Sequence, residues 1–335
     1  MKRLFFPITK VLIIACLICG SNALSSAERV DGRTVLKNML EAEGKAVFTA
    51  YQVTTLARGP AVTSEQTVYR AGFKGMRIEY LEPPALKGEV IADDGHVYAH
   101  LIPREKVLRV GPSRLKMLQT RMNEAHTGFK QGALDVSLLG KDRIASRDAY
   151  VIQVKPNHPG KHPTRKFWVD SANWVKLRTE DVGPDGTVLS VSYYTKISFV
   201  DRIDPDKFRI EPPRGIRVVK QPEWKTASIS EIKKIAGFEV LEPTYLPKGF
   251  KAVGASLIPF RHNRMVVIRY SDGVSSLSLF QAPGRVLDPK FLARLHEGPV
   301  KPGQGMYSWK TDGVNLTIVS QISMDEIRKV AASVK

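Results

Sequence analysis

Residues 165–181 restrict the fold of this chain more than any other stretch. They read RKFWVDSANWVKLRTED, in which apolar and polar residues alternate on both sides of the turn-forming run DSAN. A period of two is typical of strands, and a polar turn between two such runs predicts a β-hairpin. Trp168 and Trp174 supply much of the apolar area that this hairpin can bury. If the turn keeps the register, both tryptophans lie on the face opposite Phe167 and Val169.

Similar alternation recurs along most of the chain, and helical spacing occurs in a few places. A helix capped by Asp31 is predicted to run to Lys45, and a short helix is predicted over residues 133–139. Predicted strands lie at residues 46–57, 63–73, 76–81, 89–92, 96–102, 149–155, 187–200, 264–270, 274–281, 306–310 and 314–320. This order predicts an α+β fold with mainly antiparallel strands, in which helices cover the concave face of a curved sheet.

Changes in composition divide the chain into four segments. Residues 1–27 are predicted to be a signal peptide, and residues 28–200 form the first domain. Residues 201–225 are rich in proline and are predicted to be a stiff linker. Residues 226–335 form a smaller α+β domain that begins with a capping box at Ser228.

The first segment has the pattern of an export signal. Lys2 and Arg3 precede an apolar run from Val11 to Cys19, which small residues follow. The two cysteines of the chain, Cys16 and Cys19, both lie in this segment. A mature chain without cysteine excludes disulfides and thiolate chemistry. Cys16 also fits a lipoprotein cleavage box, but apolar residues continue beyond it, which favours a cleavable signal.

The formal net charge of +18 indicates which classes of ligand the protein is expected to bind. An exported protein is not expected to bind nucleic acid. A basic surface in that compartment is expected to contact anionic lipid headgroups, a lipopolysaccharide or an acidic polypeptide. A generally basic surface without a dedicated site is the alternative. No later apolar run is long enough to predict a membrane span in the mature chain.

No motif for nucleotide binding, ester hydrolysis or metalloprotease chemistry occurs in the sequence. His96 and His100 lie on a predicted strand, where four residues span about 13 Å, too far to share a metal ion. His158 and His162 lie in a Pro/Gly loop without an acidic residue. The Asp93-Asp94 pair is explained by a tight turn. We therefore expect no catalytic residue, no metal site and no cofactor.

One amphipathic helix is the stretch that suggests ligand capture. Its apolar stripe is Leu115, Leu118 and Met122, and the basic residues beside it, candidates for binding an anionic headgroup, are Arg114, Lys116 and Arg121. Such a helix over a concave sheet can enclose an apolar cavity. The predicted cavity lining is Phe48, Tyr69, Met76, Ile78, Leu115, Leu118, Met122, Trp168 and Trp174. A stripe that only completes the core is the alternative.

Several short motifs carry a resemblance to a known family. In the first half they are FWVD at Phe167–Asp170, Trp174 with Leu177-Arg178, and FRIEPP from Phe208. In the second half they are LPKGF from Leu246, YSDG from Tyr270 with SLSLF after it, and LTIV from Leu316. With these motifs in this order, the chain resembles the RseB/MucB family of periplasmic regulators of envelope-stress sigma factors. Its first half resembles the half-barrel fold shared by the lipoprotein carriers LolA and LolB.

The resemblance implies a non-enzymatic stress sensor in the periplasm. It implies that the second domain helps to bind the periplasmic part of a membrane anti-sigma factor and that this binding shields the factor from proteolysis. Lipopolysaccharide or mislocalised lipoprotein is the implied signal. One departure is Ser320-Gln321-Ile322-Ser323, where the family usually has a glycine-glutamate-proline type turn. A lipid or lipoprotein carrier of the LolA type is the alternative function, and a hydrolase is a third.

Overall fold

The computed structural model describes residues 30–335 except 58–60, 116–117, 120–121, 124–125, 127–128, 130–131, 158–162, 222–224, 261–262, 274, 285–287, 289–291 and 293–304. The predicted signal peptide, with Cys16 and Cys19, lies outside these residues, as do His158, His162, Lys116 and Arg121. Residues 31–335 form one compact unit, in which the strands build two separate sheets. None of the described helices combines the length and the apolar character needed to cross a membrane.

The first sheet has twelve strands. They are β1 (Val47–Ala57), β2 (Ala61–Ala71), β3 (Gly75–Glu82), β4 (Val90–Asp93), β5 (Val97–Ile102), β6 (Val107–Pro112), β7 (Leu134–Ile144), β8 (Arg147–Pro156), β9 (Thr164–Asp170), β10 (Lys176–Val182), β11 (Val188–Phe199) and β12 (Arg217–Lys220). Their spatial order is β12-β6-β5-β4-β3-β2-β1-β11-β10-β9-β8-β7, so the sheet does not close into a barrel. Every pair is antiparallel except β12 with β6, and this confirms the predicted fold class.

Helix α1 (Gly32–Glu43) packs against β7 and β8 at the far end of this sheet. Asp31 caps it, because its side chain accepts a hydrogen bond from the backbone N–H of Thr34 at 2.7 Å. The approach at its first residue is so close that a β-carbon on Gly32 would lie 2.8 Å from the backbone nitrogen of Leu138. Only glycine fits there without moving the helix or the strand.

The hairpin that the sequence predicts is formed by β9 and β10. Asp170 fixes its turn: the buried carboxylate accepts from the backbone N–H groups of Ala172 and Asn173 and binds the guanidinium of Arg147 through both oxygens. Trp174 does not extend the second strand. It lies in the turn at φ +60°, a left-handed conformation that an aromatic residue rarely adopts.

Trp174 also does not keep the predicted register with Trp168. A bulge between Lys176 and Arg178 shifts the pairing of β10 with β9. The ring of Trp174 instead stacks on Tyr150 of β8, with centroids 5.8 Å apart and an angle of 9° between the planes. Stacking of this kind offsets part of the cost of the left-handed backbone.

The short helix predicted at residues 133–139 is wrong, because these residues lie in strand β7, which pairs with β8. Leu134, Val136 and Leu138 have the period of a strand, and the pairing with β8 outweighs the local helical propensity. The predicted linker contains a 3-10 turn at Pro205–Phe208 and then β12, which adds to the first sheet.

The second sheet has six strands in the order β13-β14-β15-β16-β18-β17. They are β13 (Lys225–Ala227), β14 (Lys251–Phe260), β15 (Asn263–Ser271), β16 (Ser276–Pro283), β17 (Met306–Thr311) and β18 (Val314–Ser320). The helices α2 (Ile229–Ile235) and α3 (Met324–Ala332) complete this part of the chain. Ser228 and Glu231 form the predicted capping box of α2, with both reciprocal bonds present.

Two apolar clusters bury the two faces of the second sheet. Residues of α2 and α3 join the larger cluster, which includes Ile268, Leu279 and Ile318. The smaller cluster, around Phe280 and Leu292, lies on the other face. Each fully buried side chain of this size contributes about 1.5–3 kcal/mol relative to exposure. Among the described residues, neither of these clusters includes a residue of the first sheet.

We expect the Asp170→Asn variant to lose about 3 kcal/mol of the free energy of unfolding near neutral pH, because Arg147 would be left without its charge partner. Burial by itself raises the pKa of Asp170, but the bonds from Arg147 and from the backbone N–H groups outweigh it and hold the pKa below its ordinary 3.8. The stabilisation is therefore present above about pH 4 and is lost as the pH falls through the lower folded-state pKa.

Urea unfolding of both proteins over this pH range measures the effect, and the difference between them should shrink on acidification. Asp148→Asn is the matched control, because the Asp148 side chain is 79% exposed and lies 3.9 Å from Arg143. Equal losses in the two variants would contradict the assigned role of Asp170.

Candidate functional site

The strands β1 to β5 bring a row of side chains onto one face of the first sheet. Phe48 pairs with Arg70, Arg70 with Met76, Met76 with Asp93, and Asp93 with Tyr98. Directly paired residues lie on the same face, so the register fixes the direction of the whole row.

A second row runs parallel to the first on this face. Ile78 pairs with Ile91, and Ile91 pairs with His100. We call the surface formed by the two rows the covered face. Its apolar part joins the core, since Phe48 is buried and Ile78 packs against its cluster.

A helix that begins at Leu115 lies over the covered face, and Asp93 fixes its start. The Asp93 carboxylate is fully buried and accepts from Ser113 Oγ at 2.7 Å and from the backbone N–H groups of Arg114 and Leu115 at 2.7 and 3.3 Å. It also accepts from the N–H of Gly95 at 3.0 Å. The N–H of Leu115 also donates to Ser113 Oγ at 3.1 Å, so the local Ser113 and the distant Asp93 together cap the helix.

The covering helix and α1 contact each other. The guanidinium of Arg33 on α1 donates to the carbonyl oxygen of Phe129 at 3.0 Å and lies 4.4 Å from the centre of its ring. Leu115 is buried, whereas Leu118 and Met122 are half-buried, as are Met76 and Ile78 below. Two residues of the predicted stripe and two of the predicted lining thus have incompletely covered apolar side chains.

Polar groups border this apolar region. The Arg114 guanidinium lies 3.7 Å from the centre of the Tyr98 ring, which places a cation at the start of the helix. Glu89 and His100 are paired at 2.9 Å. Burial lowers the pKa of His100 below its ordinary value, although the carboxylate of Glu89 acts in the opposite direction. Burial also raises the pKa of Tyr98, so its hydroxyl stays neutral.

Tyr69 does not share this face with the other predicted lining residues. It lies on the alternate position of β2, opposite Arg77, and the ammonium of Lys207 is 4.3 Å from its ring centre. Arg77 donates to the carbonyl oxygens of Lys207 and Arg209 at 3.2 Å. The turn at residues 205–208 therefore packs on the face opposite the covered face.

Trp168 occupies a third environment. It is buried beside Ala149 and Leu177, its indole N–H donates to Asp142 at 2.8 Å, and the Arg178 guanidinium lies 4.7 Å from its ring. Its cluster meets that of Phe48 through two shared neighbours, Tyr194 and Ile197. Trp168 is therefore part of a core cluster that adjoins the cluster of Phe48.

An ionic cluster of one buried and two half-buried side chains lies where the end of α1 meets the sheet. Glu43 is 3.3 Å from Lys176 Nζ and 4.0 Å from Arg70 Nη2. Burial raises the pKa of Glu43, but attraction to Lys176 and Arg70 outweighs burial and holds the pKa below its ordinary value. Burial and the charge of Glu43 raise the pKa of Tyr194. The cluster ties α1 to β2, β10 and β11.

Sequence reasoning assigned no site role to Asp93, Glu89 or Glu43. The pattern Asp93-Asp94-Gly95 predicts the turn. A tight turn needs only one aspartate, so the second one is the sequence signal that Asp93 has a further role. Asp94 accepts from the backbone of the turn and from Arg209 at 3.2 Å. Among the residues that the structure describes, no three His, Cys, Asp or Glu side chains are grouped as metal ligands.

Comparison with known proteins gives a consistent result. A family model described as the MucB/RseB N-terminal domain matches residues 31–211. The structure is similar to MucB in the Pseudomonas aeruginosa MucA/MucB complex, with a TM-score of 0.60 and 16% identity over 91% of this chain and 98% of that chain. For MucB in complex with MucA(peri), the TM-score is 0.58 at 16% identity, with the same two coverages.

A crystal structure of MucB gives a TM-score of 0.55 at 15% identity, covering 90% of this chain and 97% of that chain. No curated protein sequence matches the chain. Identities this low show a common fold, and the coverage includes both sheets.

We expect Asp93→Ala to release the start of the covering helix, because Ser113 Oγ and the N–H of Arg114 would lose their buried acceptor and the N–H of Leu115 would keep only Ser113 Oγ. The cost of about 1–2 kcal/mol should raise the rate of limited trypsin cleavage between Arg114 and Phe129 by about tenfold. Asp94→Ala is the control, since Asp94 bonds to the turn and to Arg209 but not to the helix. Similar cleavage of both variants would show that the turn, not the helix anchor, was lost.

We also expect His100 to make stability depend on pH. Its folded-state pKa is lowered, so the unfolded chain binds more protons as the pH falls below about 6.5, and the free energy of unfolding falls with it. His100→Gln should remove this contribution and flatten the dependence between about pH 5 and pH 7. Urea unfolding midpoints measured between these pH values report this dependence. If the midpoint changes with pH equally in the variant and in the wild type, the assignment to His100 is contradicted.

Proposed function

The chain belongs to the MucB/RseB family, and on this premise we propose that it is a non-enzymatic periplasmic regulator that binds the periplasmic part of a membrane anti-sigma factor. The observation that carries the proposal is likeness along nearly the whole chain to MucB as it occurs in complexes with MucA. A carrier that used only the first sheet would leave the second sheet, with its separate core, without a role.

Binding would shield the anti-sigma factor from proteolysis, and an amphiphile would release it. Lipopolysaccharide or the acyl chains of a lipoprotein are the proposed signals. The covered face supports this part of the proposal. Met76, Ile78, Leu118 and Met122 offer incompletely covered apolar surface, and Arg114 places a cation beside it for an anionic headgroup.

A lipid or lipoprotein carrier of the LolA type is the second candidate function, and the same apolar surface favours it. The two functions differ in what they require of a partner. A carrier needs no anti-sigma factor, and acyl chains should co-purify with it after gentle extraction. Both functions place the protein in the periplasm, which agrees with the predicted signal at residues 1–27.

A protease-protection experiment tests the proposed regulation. The mature protein should slow cleavage of the anti-sigma factor's periplasmic segment by its site-1 protease, and lipopolysaccharide should restore cleavage. We expect Leu118→Asp to protect as well as the wild type but to need about tenfold more lipopolysaccharide, because a charge on the apolar stripe opposes acyl binding.

Gln119→Asp is the matched control, since Gln119 is the exposed neighbour of Leu118 and gains the same charge. It should behave like the wild type. Absence of protection by the wild-type protein would refute the regulatory role. Protection that lipopolysaccharide relieves equally in both variants would refute only the assignment of the covered face.

A further inference from the structure

Strand β12 gives the first sheet an open edge. It lies at one end of the strand order, and its described partner is β6 alone. The backbone N–H groups of Arg217 and Gln221 donate to carbonyl oxygens of β6 at 2.9 and 2.6 Å. Because successive residues of a strand direct their backbone groups to opposite sides, the N–H and C=O groups of Val218 and Lys220 point away from β6. The edge therefore presents two donors and two acceptors in alternation.

Four cationic side chains flank this edge. They are Lys106 and Arg217 at its start, where their backbones are joined by a hydrogen bond, and Lys220 and Arg114 at its end. Within the described part of the chain, none of the four forms an ion pair with a carboxylate. The nearby Glu105 is bonded to Arg109 at 2.7 Å. Among the described residues, therefore, no carboxylate is paired with the positive charges of this edge.

We propose that β12 is a docking strand for an extended acidic peptide segment, which adds to the first sheet as a further strand. Backbone pairing with Val218 and Lys220 supplies the register, and Asp or Glu side chains of the segment pair with the four cations. The Val218 side chain, 45% exposed, adds apolar contact at the centre of the edge. Such a segment need not belong to an anti-sigma factor, so the edge is tested independently of that function.

The backbone chemistry favours a peptide over a lipid headgroup. A phosphate only accepts hydrogen bonds, so it can pair with the outward N–H groups of Val218 and Lys220 but offers no donor to their carbonyl oxygens, which would remain bonded to water. A second strand satisfies donors and acceptors together. Charged residues on an edge strand can also serve only to prevent aggregation with other sheets. If the four cations had that role alone, loss of the Val218 N–H group would not change peptide binding.

Fluorescence anisotropy with a labelled twelve-residue peptide of repeated Glu-Glu-Thr, which places Glu on both faces of a strand, tests the proposal on the full mature protein. We expect binding that weakens by about tenfold or more in Val218→Pro, which removes one outward donor. Proline is tolerated on the open side of an edge strand, and the bonds of Arg217 and Gln221 to β6 should persist. Slow hydrogen exchange at those two amides confirms that the variant keeps its fold.

Two controls separate backbone pairing from side-chain effects and from charge. Val218→Ala removes most of the side chain but keeps the N–H group, and it should bind within about twofold of the wild type. The double variant Arg217→Glu with Lys220→Glu should bind at least about tenfold more weakly. The same change in net charge at Lys234 and Lys248, exposed in the other part of the chain, should have little effect.

Three results would overturn the proposal. The first is equal binding of an acidic peptide with proline at every third position, which keeps the charge but cannot form a strand. The second is wild-type affinity in Val218→Pro. The third is no detectable peptide binding, with phosphatidylglycerol vesicles binding instead through Arg217 and Lys220, which would assign the edge to a lipid surface.

Discussion

The antiparallel register from β1 to β5, which has its one shift at Glu65/Gln66 and none along the row from Phe48 to Tyr98, is the constraint on which the rest of the first sheet depends. Each residue on the covered face is fixed by its direct partner on the next strand, so Phe48, Met76 and Asp93 point the same way. A slip of one residue would send Asp93 to the opposite face, away from the helix that it anchors. The position of the covering helix is therefore a consequence of strand pairing.

Two buried carboxylates and one half-buried carboxylate then hold the connecting segments to this frame. Asp93 fixes the start of the covering helix, Asp170 fixes the turn between β9 and β10, and Glu43 ties α1 to the sheet. Each has donors or cations around it, as a buried charge requires. Leaving such a group unpaired costs free energy. These carboxylates therefore favour the one arrangement of the helices that pairs them over other arrangements that would bury a similar apolar area.

An open sheet leaves both a surface and an edge for binding. Closing the twelve strands into a barrel would pair β12 with β7 and remove the outward backbone groups of β12. The helices, meanwhile, cover one face without burying Leu118 and Met122 completely. The covered face and the edge share Arg114, but otherwise differ in chemistry, since one is apolar and the other is a polar backbone with three further cations. They can therefore serve different ligands.

The sequence by itself determined the local elements, because their signals lie within a few residues. The hairpin around Asp170, the caps at Asp31 and Ser228, and most strands were predicted from spacing and turn chemistry. Tertiary structure alone decided which strands adjoin, and so it placed Tyr69 opposite the covered face. It also made residues 133–139 a strand, because pairing with β8 outweighs helical propensity there. Long-range pairing leaves no local pattern, and for that reason only the folded chain showed the role of Asp93.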